Sequence, residues 1–310
     1  MARSPLAIDR RTFIRAAAAF GVVAPFTVRS QIIERARFSR DDVPRATQQL
    51  LAMVNDERNR NGLSRLELDQ FASRVAEQHA TDMLEGDFLS HWGRDGRKPY
   101  QRYSFAGGTD ATQENASLAH DIESATPAAV IDTLGVMHRS MYDEVPPNDG
   151  HRKTILFPHH THVGFGIATK EYSVRLDELY ICRYVGVDPV VRAAKPGSRI
   201  NFSGRILDSR YELSGIHVYH EPLPRPPSLE WLRVMRSYGL PDAYTEYLPR
   251  LPLGYTYEGG TKGSIEINGF TFRVALNLFD KPAINTIVVW LQHSQSDEPF
   301  PATQVCIRCE

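Results

Sequence analysis

The sequence is short of the features that most directly identify a protein. Its 310 residues include three cysteines, too few for a disulfide framework and odd in number, so at least one has no partner within the chain. No run of 18 apolar residues occurs, so no segment has the makings of a spanning helix. Charge of one sign is lacking too: 36 Lys and Arg stand against 37 Asp and Glu, a net charge of −1. Nucleic-acid binders usually carry a basic excess, and disordered chains combine strong net charge with few apolar residues, whereas 42% of this chain is hydrophobic. No nucleic-acid partner is expected. Standard catalytic signatures are also missing. There is no His-Glu-x-x-His, no Gly-x-Ser-x-Gly, no phosphate loop ending in Gly-Lys-Ser and no pair of Cys-x-x-Cys ribbons. Cys306 and Cys309 have redox spacing, but on a strand they would lie about 10 Å apart and face opposite sides. Cys182 reads as a small core residue.

What is present is unevenly placed. Residues 1–40 hold eight Arg against Asp9 and Glu34, so the balanced total conceals a basic front and an acidic remainder. Asp9-Arg10-Arg11-Thr12-Phe13-Ile14-Arg15 precedes an Ala-rich apolar stretch from Ala16 to Val28. A charged start followed by about a dozen apolar residues is the layout of an export signal. Arg10-Arg11 with Phe13, Ile14 and Arg15 resembles the bacterial twin-arginine signal, although Asp9 stands where Ser or Thr is preferred. Residues 1–40 are therefore expected to be an export signal and linker read by the twin-arginine machinery. The destination is then secretion or the cell envelope.

From Asp41 the pattern is helical. Ala46, Leu50, Leu51, Val54 and Arg58 fall at helical spacing and Asn61-Gly62 stops the run. A second helix carries Leu68, Ala72, Val75, Ala76, His79 and Met83 on one face and ends at Gly86 and Asp87. Phe88–Gly108 reads as loop with one short helix, and a further helix spans Thr126–Tyr142. Thr161–Ile167 and Leu179–Val187 then alternate with period two, predicting an antiparallel hairpin whose gap contains Lys170 to Asp177. Asp188–Gly197, with Pro189 and Pro196, is the best domain boundary. Beyond it six strand candidates follow, with Asn268-Gly269 the clearest hairpin turn. The length suggests two domains. They are a helix-rich α+β or three-layer unit over 41–190 and an antiparallel β-sandwich over 195–310. The sandwich carries a Pro/Tyr-rich insertion over 221–262, whose tyrosines, Tyr238 among them, could form a recognition surface or simply pin the loop down.

Chemistry concentrates in four stretches at helix ends or glycine-flanked loops, where functional groups tend to be displayed. They are Ser90-His91-Trp92-Gly93, Gln113-Glu114-Asn115-Ala116, Tyr142-Asp143-Glu144-Val145 and Gly150-His151-Arg152. Together with Val54-Asn55-x-x-Arg58, His79-Ala80-x-Asp82-Met83, Ile155-Leu156-x-Pro158 and Val163-Gly164-x-Gly166-x-Ala168, these run in a familiar order. The stretch from about Thr47 to Val187 resembles the CAP superfamily of cysteine-rich secretory, antigen 5 and pathogenesis-related proteins. It is most similar to the short bacterial SCP-like extracellular branch. The cysteines of the animal and plant members are absent, and Thr154 replaces an Asn usual in bacterial members.

The resemblance implies an α–β–α sandwich with a cleft lined by His91, Glu114, Glu144 and His151. Two imidazoles and two carboxylates on a cleft can hold a divalent cation, and neutral histidine suits zinc, so His91 and His151 are the expected metal ligands. The same groups could act as acid and base, or simply as a hydrogen-bonded anchor. A binding role is placed ahead of catalysis, because no Ser or Cys nucleophile accompanies the cluster. The expected ligand is small and apolar or derived from the cell wall. The competing readings are a metal-dependent hydrolase of peptide or wall polymer, and an adhesin binding through the sandwich. His79 is expected to be a buried structural histidine, and the run His159-His160-Thr161-His162 to be solvated.

Overall fold

Helix α1 (Val43–Arg60) starts with Pro44 in its first turn and buries Ala46, Leu50 and Val54 at intervals of four. It stops at Asn61-Gly62, where Gly62 adopts φ +72°. Strand β1 (Glu67–Leu68) leads to α2 (Gln70–Gly86), capped by Asp69, whose carboxylate accepts from the Ala72 N–H at 2.6 Å. Then come α3 (Pro99–Phe105), β2 (Ala111–Ala119), α4 (Pro127–Tyr142), α5 (Gly150–Ile155), β3 (His162–Lys170) and β4 (Ser173–Cys182). The structure is a computed structural model describing residues 37–258, 263–293 and 298–310. The expected export signal therefore lies outside the described residues up to residue 36.

These strands form one sheet in the order β1-β3-β4-β2, leaving β2 at an edge. On one face, Ala72, Val75 and Ala76 of α2 pack on Leu179 and Ile181. On the other, Leu50 and Val54 of α1 and Leu134 and Met137 of α4 cover Val163, Phe165 and Tyr180. This is the expected three-layer α–β–α arrangement. Gly164 and Gly166 explain the closeness of α2. A Cβ on either would fall 2.3 Å from the Ser73 nitrogen or 2.1 Å from the Ala76 carbonyl carbon, so only glycine lets the helix rest on β3.

After Arg183 and Tyr184 the chain enters a second, strand-rich region. It contains β5 (Val185–Val187), β6 (Ala193–Ala194), β7 (Arg199–Ile206), β8 (Tyr211–Glu221), α6 (Leu229–Leu232) and β9 (Tyr244–Tyr247). It continues with β10 (Glu266–Asn268), β11 (Thr271–Asn277), β12 (Ala283–His293), β13 (Phe300–Pro301) and β14 (Val305–Cys309). One sheet runs β10-β11-β7-β5 and the other β6-β14-β12-β8-β9, with β13 on β12. Phe202, Val274 and Leu276 face Ile216, Val289 and Ile307 across the core of this β-sandwich. All its ladders are antiparallel except β6 with β14. Cys306 and Cys309 do face opposite sides, and all three cysteines are free and buried.

Two local readings need correction. The β3–β4 turn is only Glu171 and Tyr172, and β4 begins at Ser173, well before Leu179. Arg175, Asp177 and Glu178 hid the start of the strand, because they are polar yet buried. Likewise Glu114 lies within a nine-residue strand, not a loop; Thr112, Glu114 and Asn115 are all buried.

Candidate functional site

Neighbouring residues on a strand point to opposite faces, and β2 uses this to serve two sites at once. Glu114 faces the α2 side of the sheet, where it meets His91, Arg102 and His79. Asn115 faces the α4 and α5 side, where its Nδ2 donates to the His151 carbonyl at 3.1 Å.

On the first side, His91 Nδ1 donates to Glu114 Oε1 at 2.9 Å, and Arg102 forms a short ion pair with Glu114 Oε2. Arg102 also donates to the His91 carbonyl at 2.7 Å, so one guanidinium fixes both partners. Burial alone would raise the Glu114 pKa, but Arg102, His79 and the His91 hydrogen bond outweigh it and hold the carboxylate ionised well below its ordinary range. Beneath it, burial and then the charge of Glu114 push Asp177 well above the ordinary carboxyl value. His79 donates from Nε2 to the Ser90 carbonyl at 2.8 Å, and burial with nearby Arg102 lowers its pKa to about 4. His79, Glu114 and Asp177 lie within metal-ligand spacing, 4.8 Å of one another. Of the three, Glu114 is already paired with Arg102 and His91.

On the second side, His151 Nδ1 donates to Glu144 Oε1 at 2.5 Å, and the His151 backbone N–H donates to Glu144 Oε2 at 2.9 Å. Glu144 lies just past the end of α4 and His151 in the first turn of α5, so this pair joins two successive helices. Both side chains are about a quarter exposed, at 24% and 25%.

The C-terminal region closes the β2 edge between the two pairs. Thr303 bridges Asp110, and the Ala111 N–H donates to the Ala302 carbonyl. The Thr112 N–H donates to Gln304 Oε1 at 2.7 Å, and the Glu114 N–H to the Tyr238 hydroxyl at 2.8 Å. The Tyr238 ring sits 4.7 Å from that of His91. Leu232 of α6 is buried against Met83, Phe88 and Ala116, and Glu221 accepts from Gln101 and pairs with Lys98. The described residues thus form one compact unit. Between these elements opens a cavity of about 610 Å³. His91, Glu114, Glu144 and His151 all line it, joined by Tyr238 and Gln304 from the second region.

Residues 51–184 match the family model described as CAP, the Cysteine-rich secretory protein family. The matched stretch, just under half of the chain, is its CAP-family domain. A Bacillus subtilis protein described as "Uncharacterized membrane protein YlbC" is 31% identical over 125 residues, which is 40% of this chain and 32% of that protein. The chain thus spans about a third of the length of the curated relative it matches. Among solved structures, an extracellular SCP-domain protein from Bacillus anthracis is 22% identical, covering 48% of this chain and 45% of its own, at TM-score 0.37. An outer surface protein from Borrelia burgdorferi is 16% identical over 48% of this chain and 98% of its own, at TM-score 0.38.

Within the CAP domain the four expected cleft residues come together on one cavity, in two separate His/Glu pairs. His79 is buried, as expected. The histidine run is not solvated: His160 is fully buried and stacks on Tyr180 at 5.2 Å, and His159 stacks on Phe300 at 3.8 Å. Sequence reasoning also missed a network in the CAP core. His138 of α4 bonds Glu178 of β4 at 2.7 Å through Nδ1 and Glu57 of α1 at 2.8 Å through Nε2. Burial opposes its charge, but the two carboxylates prevail and raise its pKa to about 10. Helical spacing puts His138 four residues after Leu134, on the inward face, which was the available signal. Among the described residues no helix is long and apolar enough to cross a membrane.

Proposed function

We propose that this chain is an exported bacterial CAP-domain protein that binds a ligand in the His/Glu cleft and holds a divalent metal through His91 and His151. One observation carries this reading: in both rings Nδ1 is taken by a glutamate, so Nε2 is the nitrogen left for an incoming ion or ligand. A carboxylate behind the imidazole is the usual support of a metal-bound histidine, fixing its tautomer and orientation. The donors fit zinc or a similar borderline cation. When bound, such an ion would supply positive charge to polarise a ligand oxygen. The chain's own groups orient the two imidazoles, and the Tyr238 wall limits access. All three cysteines are buried elsewhere, which favours binding over cysteine-based covalent catalysis.

The test is elemental analysis of the purified protein. About one divalent ion per chain is expected, lost in His91→Ala and in His151→Ala. A metal-free wild type, or variants that keep the ion, would remove the metal from this reading. For the export route, Arg10→Lys combined with Arg11→Lys should hold the protein in the cytoplasm. Normal secretion of that variant would refute the twin-arginine signal.

A further inference from the structure

The lining of the cleft limits what it can bind. We propose that it takes a neutral carbohydrate chain, and that the C-terminal region builds one wall of the sugar subsite; this rests on the cleft being the binding site. Asn115 is fully buried at the cleft, and while its Nδ2 donates to the His151 carbonyl, its Oδ1 has no partner among the described residues. A buried acceptor without a partner calls for a donor on whatever enters. Around it the cavity is lined by Gln113, Asn148, Ser237 and Gln304, whose amides and hydroxyl both give and accept hydrogen bonds. Sugar hydroxyls have the same double capacity. A fatty acid or sterol has a single polar end, so its apolar body would cover most of these groups without returning their hydrogen bonds.

Two other ligand classes fit less well. The arginines at the cleft are already engaged. Arg102 pairs with Glu114, and Arg236 donates to the Trp231 and Val234 carbonyls while lying 4.0 Å over the Trp231 ring. An anionic ligand therefore meets no uncommitted guanidinium there. An extended peptide would add itself to the β2 edge, but Ala302, Gln304 and Tyr238 already take the N–H groups of Ala111, Thr112 and Glu114. Tyr238 instead offers a half-buried aromatic wall on which the C–H face of a pyranose ring can pack. The cavity falls in the range of small-ligand sites, about 300–1,000 Å³.

The experiment titrates the full chain with three probes: a β-1,4-linked N-acetylglucosamine tetrasaccharide, a neutral tetrapeptide, and phosphatidylcholine vesicles. The tetrasaccharide should bind, and the other two should not. Tyr238→Ala should weaken saccharide binding about tenfold. Gln113→Ala, at a partly exposed position, should weaken it several-fold without changing the melting temperature, which keeps the test sound if Tyr238→Ala folds poorly. Binding of the peptide or the vesicles in place of the saccharide overturns the carbohydrate class, as does saccharide affinity unchanged in Gln113→Ala. If no saccharide binds but the metal is still lost in His91→Ala, the cleft reading survives and the carbohydrate falls alone. If saccharide and metal binding both survive in His91→Ala and His151→Ala, the cleft itself is the wrong place.

Discussion

The two His/Glu pairs of the cleft share one hydrogen-bond pattern but sit in unlike surroundings. The Glu114 carboxylate is 1% exposed and braced by Arg102, His91 and nearby His79, whereas Glu144 is 25% exposed and, among the described residues, holds only His151, by its ring and its backbone. In a buried place a carboxylate survives as an ion only if cations and hydrogen bonds replace water. Near the surface, water does much of that itself. The glutamate of the first pair therefore belongs to the packed interior, and the second pair to a partly exposed helix junction. One cleft thus has a heavily braced side and a lightly braced side.

The sharpest way to break this comparison is to neutralise each glutamate in turn. Glu114→Gln leaves Arg102 without its counter-charge in a largely buried position and should cost about 3–5 kcal/mol, read from the urea midpoint. Glu144→Gln should cost about 1 kcal/mol or less. Equal losses would show that the two sides are not distinct.

A second variant asks whether the core network behaves like the heavily braced side. His138→Gln leaves Glu57 and Glu178 facing each other without a cation, and at neutral pH should destabilise by about 3 kcal/mol. The sign of its pH dependence follows from the raised pKa. Protonated His138 contributes fully below its unfolded value near 6.5, and that contribution is lost as pH climbs toward about 10. The stability gap between wild type and His138→Gln should therefore narrow between pH 6.5 and pH 10. A gap constant over that range would mean the ring keeps one charge state.

The smallest effect sharpens the role of the second region. Tyr238→Phe keeps the wall against His91 but removes the acceptor of the Glu114 N–H, and should cost about 1 kcal/mol. Metal content, measured alongside, should be unchanged. Loss of the ion in this variant would show that the tyrosine supports the histidine directly.

Much of the fold was legible because it rests on local patterns. The apolar spacing of Ala46, Leu50 and Val54, the stop at Asn61-Gly62, the alternation of Val163, Phe165 and Ile167, and the Asn268-Gly269 turn each produced the element they announce. What failed did so for one reason. In β2 and at the start of β4, buried positions are held by Glu114, Asn115, Arg175 and Asp177, whose polarity reads as solvent exposure. Glu114 and Arg175 are buried because partners elsewhere in the chain satisfy their charges. Arg102 and His91 do so for Glu114, Asp87 does so for Arg175, and none of these is visible in a window of neighbouring residues. His160 misled for the same reason: its company is Tyr180, twenty residues away in sequence and in ring contact in space.

The sequence alone therefore determined the long helices, most strands and the family resemblance of the first half, and it singled out His91, Glu114, Glu144 and His151. Period, turn chemistry and motif order are properties of short stretches. Only the tertiary structure decided how these residues are grouped. It separates them into a pair with a buried glutamate and a pair with a partly exposed one, met by opposite faces of one edge strand, and it brings Tyr238 and Gln304 from the far end of the chain to close that edge. An exposed strand edge carries unpaired N–H groups that must be met from elsewhere. Where the nearest acceptors lie more than a hundred residues away, packing alone brings them there.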